Sequence, residues 1–92
     1  MIISFKHKGL ERFFTNGSAS GIQAKHAKKL KIQLTLLNIT NRPEILNVPG
    51  FDLHKLKGKR SDIWSMKVNG NWRLTFEFAN GNIYILNYED YH

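Results

Sequence analysis

Trp64-Ser65-Met66-Lys67-Val68-Asn69-Gly70-Asn71-Trp72-Arg73-Leu74-Thr75-Phe76-Glu77-Phe78 is the stretch that decides the fold. Large apolar side chains take every second position on both sides of Asn69-Gly70. Successive side chains of a strand point to opposite faces, so this period marks two strands with one buried face each. Asn-Gly accepts the positive φ values of a tight hairpin turn, and Asn71 can lengthen it. Asn80-Gly81 marks another turn, and Ile83 to Tyr88 reads as a last strand ahead of Glu89-Asp90-Tyr91-His92. The alternation sets Trp72, Leu74 and Phe76 toward a core and leaves Arg73, Thr75 and Glu77 on an open face.

The cover for that sheet lies upstream. Ile2 to Lys6 reads as a short strand with Ile3 and Phe5 on one face. Lys8 to Asn16 reads as a helix, because Leu10, Phe13 and Phe14 fall at the i, i+3, i+4 spacing and Asn16-Gly17 is a stop signal. Ser20 and Gln23 fit a capping box opening a second helix that runs to about Thr40, with Pro43 beyond its end. Ala27, Leu30, Leu34 and Leu37 form one apolar stripe of that helix, and Ile32, Leu36 and Ile39 form another. Two stripes need cover on two sides, and the expected covers are the sheet and the first helix, with a protein partner as the alternative. Asn41 to Gly50, with its two prolines and a glycine, reads as a loop.

The order is β-α-α-β-β-β. It predicts an α+β fold with two N-terminal helices packed on one face of a twisted, mainly antiparallel sheet. The 92 residues make a single domain, 1–92, large enough for one modest core. Met1–Ile3 leads straight into Ser4-Phe5-Lys6-His7, which predicts no leader, no membrane span and a cytoplasmic location. The absence of cysteine excludes disulfides and thiolate metal sites. Fourteen basic residues against seven acidic ones give a net charge of +7, which favours a polyanionic or acidic partner.

Three features carry possible chemistry. Arg73 stands mid-strand on the open face, where a plain surface arginine or a cross-strand pair is equally common. The run Leu53-His54-Lys55-Leu56-Lys57-Gly58-Lys59-Arg60 sets a histidine among four basic residues. Taken alone it is an ordinary basic turn; in context it is a phosphate clamp, with Lys55, Lys57, Lys59 and Arg60 as RNA contacts. Asp90-Tyr91-His92 follows directly from an apolar strand, which argues that this end is held. RNA cleavage without metal needs a base for the ribose 2′-hydroxyl, cations for the phosphate and an acid for the departing 5′-oxygen. Histidine suits both proton transfers, Arg and Lys suit the charge, and a tyrosine or histidine ring stacks on an unpaired base. His54, Lys57, Arg73, Asp90, Tyr91 and His92 supply that kit if the fold unites them. His7, His26, His54 and His92 have no metal-ligand spacing, so no cofactor is expected.

The segments Leu53-His54-Lys55-Leu56-Lys57-Gly58, Trp64-Ser65, Val68-Asn69-Gly70-Asn71-Trp72-Arg73-Leu74-Thr75-Phe76 and Asn87-Tyr88-Glu89-Asp90-Tyr91-His92 resemble the HigB toxins, as does the opening Ser4-Phe5-Lys6-His7-Lys8-Gly9-Leu10. These are the plasmid-maintenance, host-killing branch of the RelE/ParE superfamily. The resemblance implies a RelE-like fold and a toxin–antitoxin toxin that inhibits translation. It implies a metal-independent, ribosome-dependent endoribonuclease that cuts mRNA in the A site of the 70S ribosome, against 16S rRNA. It implies a HigA-like helix-turn-helix antitoxin, with operator DNA reached only through that antitoxin. The catalytic roles it implies fall on His54, Arg73, Asp90, Tyr91 and His92, with either histidine as base. Two other functions compete: a non-catalytic, ParE-like inhibitor of DNA gyrase, and a basic nucleic-acid-binding module without chemistry. Neither has a use for the set of His54, Asp90 and His92.

Overall fold

The computed structural model describes residues 1–58 and 62–90. Helix α1 spans Lys8–Asn16 and α2 spans Ala27–Ile39. Strands β1 (His54–Lys55), β2 (Ile63–Asn69), β3 (Trp72–Ala79) and β4 (Asn82–Asp90) form an antiparallel sheet in the order β1-β2-β3-β4. The helices cover one face of it, as the α+β, RelE-like reading requires. The core joins Leu10, Leu30, Leu34 and Leu37 of the helices to Met66, Val68, Leu74, Phe76, Ile83 and Leu86 of the sheet.

α1 matches its expected span. His7 caps it by accepting the Leu10 N–H on Nδ1 at 2.9 Å, and Gly17 closes it at φ 80°. α2 begins later than expected. Ser20 caps nothing; its hydroxyl meets that of Ser18 at 3.1 Å, and a short 3₁₀ turn at Ala24–His26 leads into the helix. The cause is a close crossing upstream: a Cβ added to Gly21 would lie 2.5 Å from the Cα of Gly9. The chain around Gly21 is thereby pinned to the first turn of α1 and cannot coil. The loop after α2 carries another 3₁₀ turn, Pro43–Leu46, whose Leu46 is fully buried and anchors it to the core.

The N-terminal segment is not a regular strand. It touches β4 at two parallel bridges, Ile2 to Ile83 and Phe5 to Leu86. Ile2 is buried, Ile3 is 48% exposed and Phe5 packs partly buried against the core, so Ile3 and Phe5 do not share the environment that one strand face would give them. The break arises at a bulge in β4, where Thr75 pairs with Asn87 but Glu77 pairs with Tyr84. Ile85 sits in that bulge at φ 46°, and its N–H donates to Ser4 Oγ at 2.8 Å. The extra residue reverses the alternation, so Ile83, Leu86 and Tyr88 all face the helices.

The Asn80-Gly81 hairpin has φ 53° and 79° at its central residues, a type I′ turn. In the other hairpin Asn69 pairs with Trp72, so Gly70 and Asn71 form the turn and Asn69 ends the strand.

The second stripe of α2 finds cover only at Leu36, which packs partly buried against the core. Ile32 is 53% exposed and Ile39 72%.

Candidate active site

A cavity of about 330 Å³ lies between the helices and is lined by Phe13, Phe14, Leu34 and Lys31 among others. Its described lining holds no histidine or carboxylate, whereas the other side of the sheet carries His54, Arg73 and Glu89.

Cross-strand partners share a face, and the register therefore maps the open side. One row runs His54, Ser65, Thr75, Asn87; Ser65 and Thr75 within it are buried, so Thr75 faces away from the helices without being open as expected. The next runs Lys67, Arg73, Glu89. From ladder spacings, the Cα atoms of His54 and Arg73 lie about 12 Å apart, two strands over and two residues along.

His54 is exposed on β1, and its Nδ1 lies 2.8 Å from the carbonyl oxygen of Asp52. A carbonyl only accepts, so Nδ1 carries the proton. The neutral ring then presents the Nε2 lone pair, the form a general base requires. Asp52 offers its carbonyl from a left-handed conformation, φ 48°.

Arg73 is half-exposed. Its Nη1 donates to the carbonyls of Gly70 (3.0 Å) and Trp72 (3.4 Å), which ties the guanidinium to the hairpin beside it. Its remaining N–H donors meet no protein acceptor among the described residues and stay available for an anion.

Beside this row is a small polar cavity, about 130 Å³, lined by Lys6, Thr75, Asn87 and Glu89 and by apolar atoms of Ile63, Phe76 and Ile85. Glu89 Oε2 accepts from Asn87 Nδ2 at 2.8 Å and from Thr75 Oγ1 at 3.4 Å. The alternation at Arg73 placed Thr75 on this face, but the bulge that brings Asn87 and Glu89 into line with it has no sequence signal.

The other expected residues are placed less uniformly. Asp90 pairs with Trp72 at the end of β4, in the row alternate to Glu89 and Arg73. Lys55 Nζ sits 5.5 Å from the Trp64 ring centre, and Lys57 is exposed just past β1. Lys59, Arg60, Tyr91 and His92 lie outside the described residues. Among the described residues no three His, Asp or Glu side chains converge to hold a metal.

Behind the Arg73 hairpin sits a cluster that the sequence did not disclose. Trp72 stacks on Tyr88, ring centres 4.5 Å apart at 29°. The Tyr88 hydroxyl accepts the Gln23 N–H at 3.3 Å and meets His26 Nδ1 at 2.6 Å. His26 is buried, and its Nε2 has no partner among the described residues. Burial, then Lys25 and Lys29, pull the His26 pKa below its usual value; burial pushes that of Tyr88 up. His7 packs its ring edge against Tyr88 at 5.3 Å, and burial followed by Arg12 lowers its pKa too. Gln33, buried on α2, donates to the Lys67 carbonyl at 2.8 Å and so ties that helix to β2 opposite Arg73.

Comparison with known proteins agrees with this frame. Residues 3–92 match the family described as RelE-like toxin of type II toxin–antitoxin system HigB. The chain is 47% identical to the endoribonuclease HigB of Proteus vulgaris over 92 residues, the full length of both.

Proposed function

The chain belongs to the HigB-like, RelE-like toxins of type II toxin–antitoxin systems, and from that premise we propose that it is an endoribonuclease that cuts mRNA on the ribosome. The observation that carries the activity is the full-length identity to a protein named as an endoribonuclease. The geometry of the open face supports a mechanism.

His54 Nε2 takes the proton of a ribose 2′-hydroxyl. The 2′-oxygen then attacks the adjacent phosphorus while the bond to the 5′-oxygen breaks, leaving a 2′,3′-cyclic phosphate and a 5′-hydroxyl. Arg73 holds the growing negative charge, and Lys57 contributes to it. His92, oriented or kept protonated by Asp90, gives a proton to the leaving oxygen, and Tyr91 stacks on a base. The reverse assignment, His92 as base and His54 as acid, uses the same atoms. Lys55, Lys59 and Arg60 grip the RNA backbone.

This kit is poor in groups that would orient a free RNA chain. Orientation is worth many orders of magnitude in rate. The 70S A site, with 16S rRNA, supplies it. The chain works as one domain, 1–92, in the cytoplasm with the ribosome. Among the described residues no helix is long and apolar enough to cross a membrane. Membership of the family implies an antitoxin partner. We take it to be HigA-like, with a helix-turn-helix that reaches operator DNA on behalf of the pair.

The test compares cleavage of one mRNA, naked and bound to ribosomes, by the wild type and by His92→Gln. Ribosome-bound message alone should be cut, and the substitution should lower the rate about 10²–10⁴-fold. Efficient cutting of naked RNA refutes ribosome dependence. A wild-type rate in His92→Gln moves the proton chemistry to His54 and Asp90.

A further inference from the structure

We propose that the antitoxin docks on the helix layer, in the groove between α1 and α2 and along the isoleucine stripe beside it, through a segment that carries apolar side chains and at least one carboxylate. This rests on the toxin reading above.

The groove is the 330 Å³ cavity, walled by Phe13 and Phe14 of α1 and Leu34 of α2 and bordered by the exposed Lys31 and Thr35. Residues three and four apart share a helix face. Thr35 lies one turn from both Lys31 and Ile39, so the stripe of Ile39 and Ile32 continues the groove across the helix surface. Those two isoleucines are more than half exposed. An apolar cavity running into two exposed branched side chains is the kind of surface that water leaves for a partner.

Charge selects that partner. α2 reads AKKLKIQLTLLNI and contains no acid. Among the described residues Lys28 and Lys31 meet no carboxylate within 4.0 Å. A second copy of this chain would bring the same lysines and another +7, so like charges would face each other. RNA would satisfy the lysines but leave the groove and the isoleucines wet. A protein segment with both apolar and acidic side chains satisfies all of them.

The experiment titrates the full chain with the purified antitoxin encoded beside it. Wild type is compared with Ile32→Asp and Lys31→Glu, both at exposed positions. A thermal melt checks that each stays folded; Ile39→Asp, at a still more exposed site, replaces Ile32→Asp if that variant does not. Ile32→Asp should weaken binding about thirtyfold or more. Lys31→Glu should weaken it at low salt and recover part of the loss at high salt. Neither should change cleavage of ribosome-bound mRNA. Wild-type affinity in both variants overturns the docking surface and leaves the toxin reading standing. A wild-type dimer in light scattering that Ile32→Asp dissolves assigns the face to a second copy instead. If the wild type binds no antitoxin, both readings fall together.

Discussion

The two faces of this one sheet are built to opposite rules. Toward the helices stand Met66, Val68, Leu74, Phe76, Ile83 and Leu86, each at most 1% exposed. Away from them stand His54, Lys67, Arg73, Asn87 and Glu89. Burial drives folding, so nearly all the sheet's stabilising area lies on the first face. The second face is left free for groups that water, RNA or protons must reach. The bulge at Ile85 keeps the separation intact: with unbroken alternation Ile83 and Tyr88, five residues apart, could not both face inward.

The sharpest way to break this comparison is to damage each face in turn. Phe76→Ala empties the centre of the covered face. It should cost about 3–5 kcal/mol, a large share of the roughly 5–15 kcal/mol that holds a domain together. Urea denaturation measures it, and cleavage should fall with the folded fraction. A loss near 1 kcal/mol would mean that the core does not depend on this ring. Arg73→Ala, three residues away on the same strand but on the open face, should do the reverse. Removing a donor aimed at transition-state charge costs about 2.7–4 kcal/mol, or 10²–10³ in rate, while the melting temperature holds, because no cavity opens. If the variant unfolds, or cuts normally, the open face is not where the chemistry happens.

The same division explains what could be read from the sequence. Period-2 alternation from Trp64 to Phe78 located the hairpin and put Arg73 outside and Leu74 inside. The spacing of Leu10, Phe13 and Phe14 located α1. These are local signals, carried by side chains a few residues apart. What escaped depends on distant contacts. The capping reading of Ser20 failed because Gly9 and Gly21 cross. The face of Ile3 was lost because a bulge 82 residues along, at Ile85, resets the pairing. For the candidate site, the basic run and Arg73 were visible, but the tautomer of His54 depends on the Asp52 carbonyl, which no side-chain pattern reveals. Tyr88 and His26 find each other across 62 positions of sequence.

That pair refines the comparison, since it is a polar group set inside the covered face. Tyr88→Phe keeps the stack on Trp72 and removes only the hydroxyl. It leaves the Gln23 N–H and His26 Nδ1 without their partner. Stranding buried polar groups costs about 1–3 kcal/mol, so the urea midpoint should drop. The cleavage rate of the folded protein should fall less than for Arg73→Ala. A larger rate loss than Arg73→Ala would mean that the covered face shares in the chemistry.

The smallest effect is one of pH, and its sign follows from the same contacts. The Tyr88 hydroxyl accepts from Gln23 and meets His26 Nδ1 at 2.6 Å, and the tautomer of the neutral His26 ring decides which of the two atoms donates. Protonation would put a charge into the core, which is why burial lowers the His26 pKa, with Lys25 and Lys29 acting in the same direction. In the unfolded chain the ring titrates at its ordinary value, about 6.5. Below that value the unfolded state binds more protons than the folded one, so stability rises with pH there. The contribution is complete above about pH 6.5 and is lost as the pH falls toward the lowered folded value, at no more than about 1.4 kcal/mol per pH unit for one proton. His7, lowered by burial and by Arg12, acts in the same direction. Urea midpoints at pH 7.5, 6.5 and 5.5 measure the trend, and His26→Gln, which cannot take up a proton in this range, should flatten it. If wild type and variant lose stability in parallel on acidification, the buried histidine is not the source, and the polar pair inside the covered face is as inert to pH as the leucines around it.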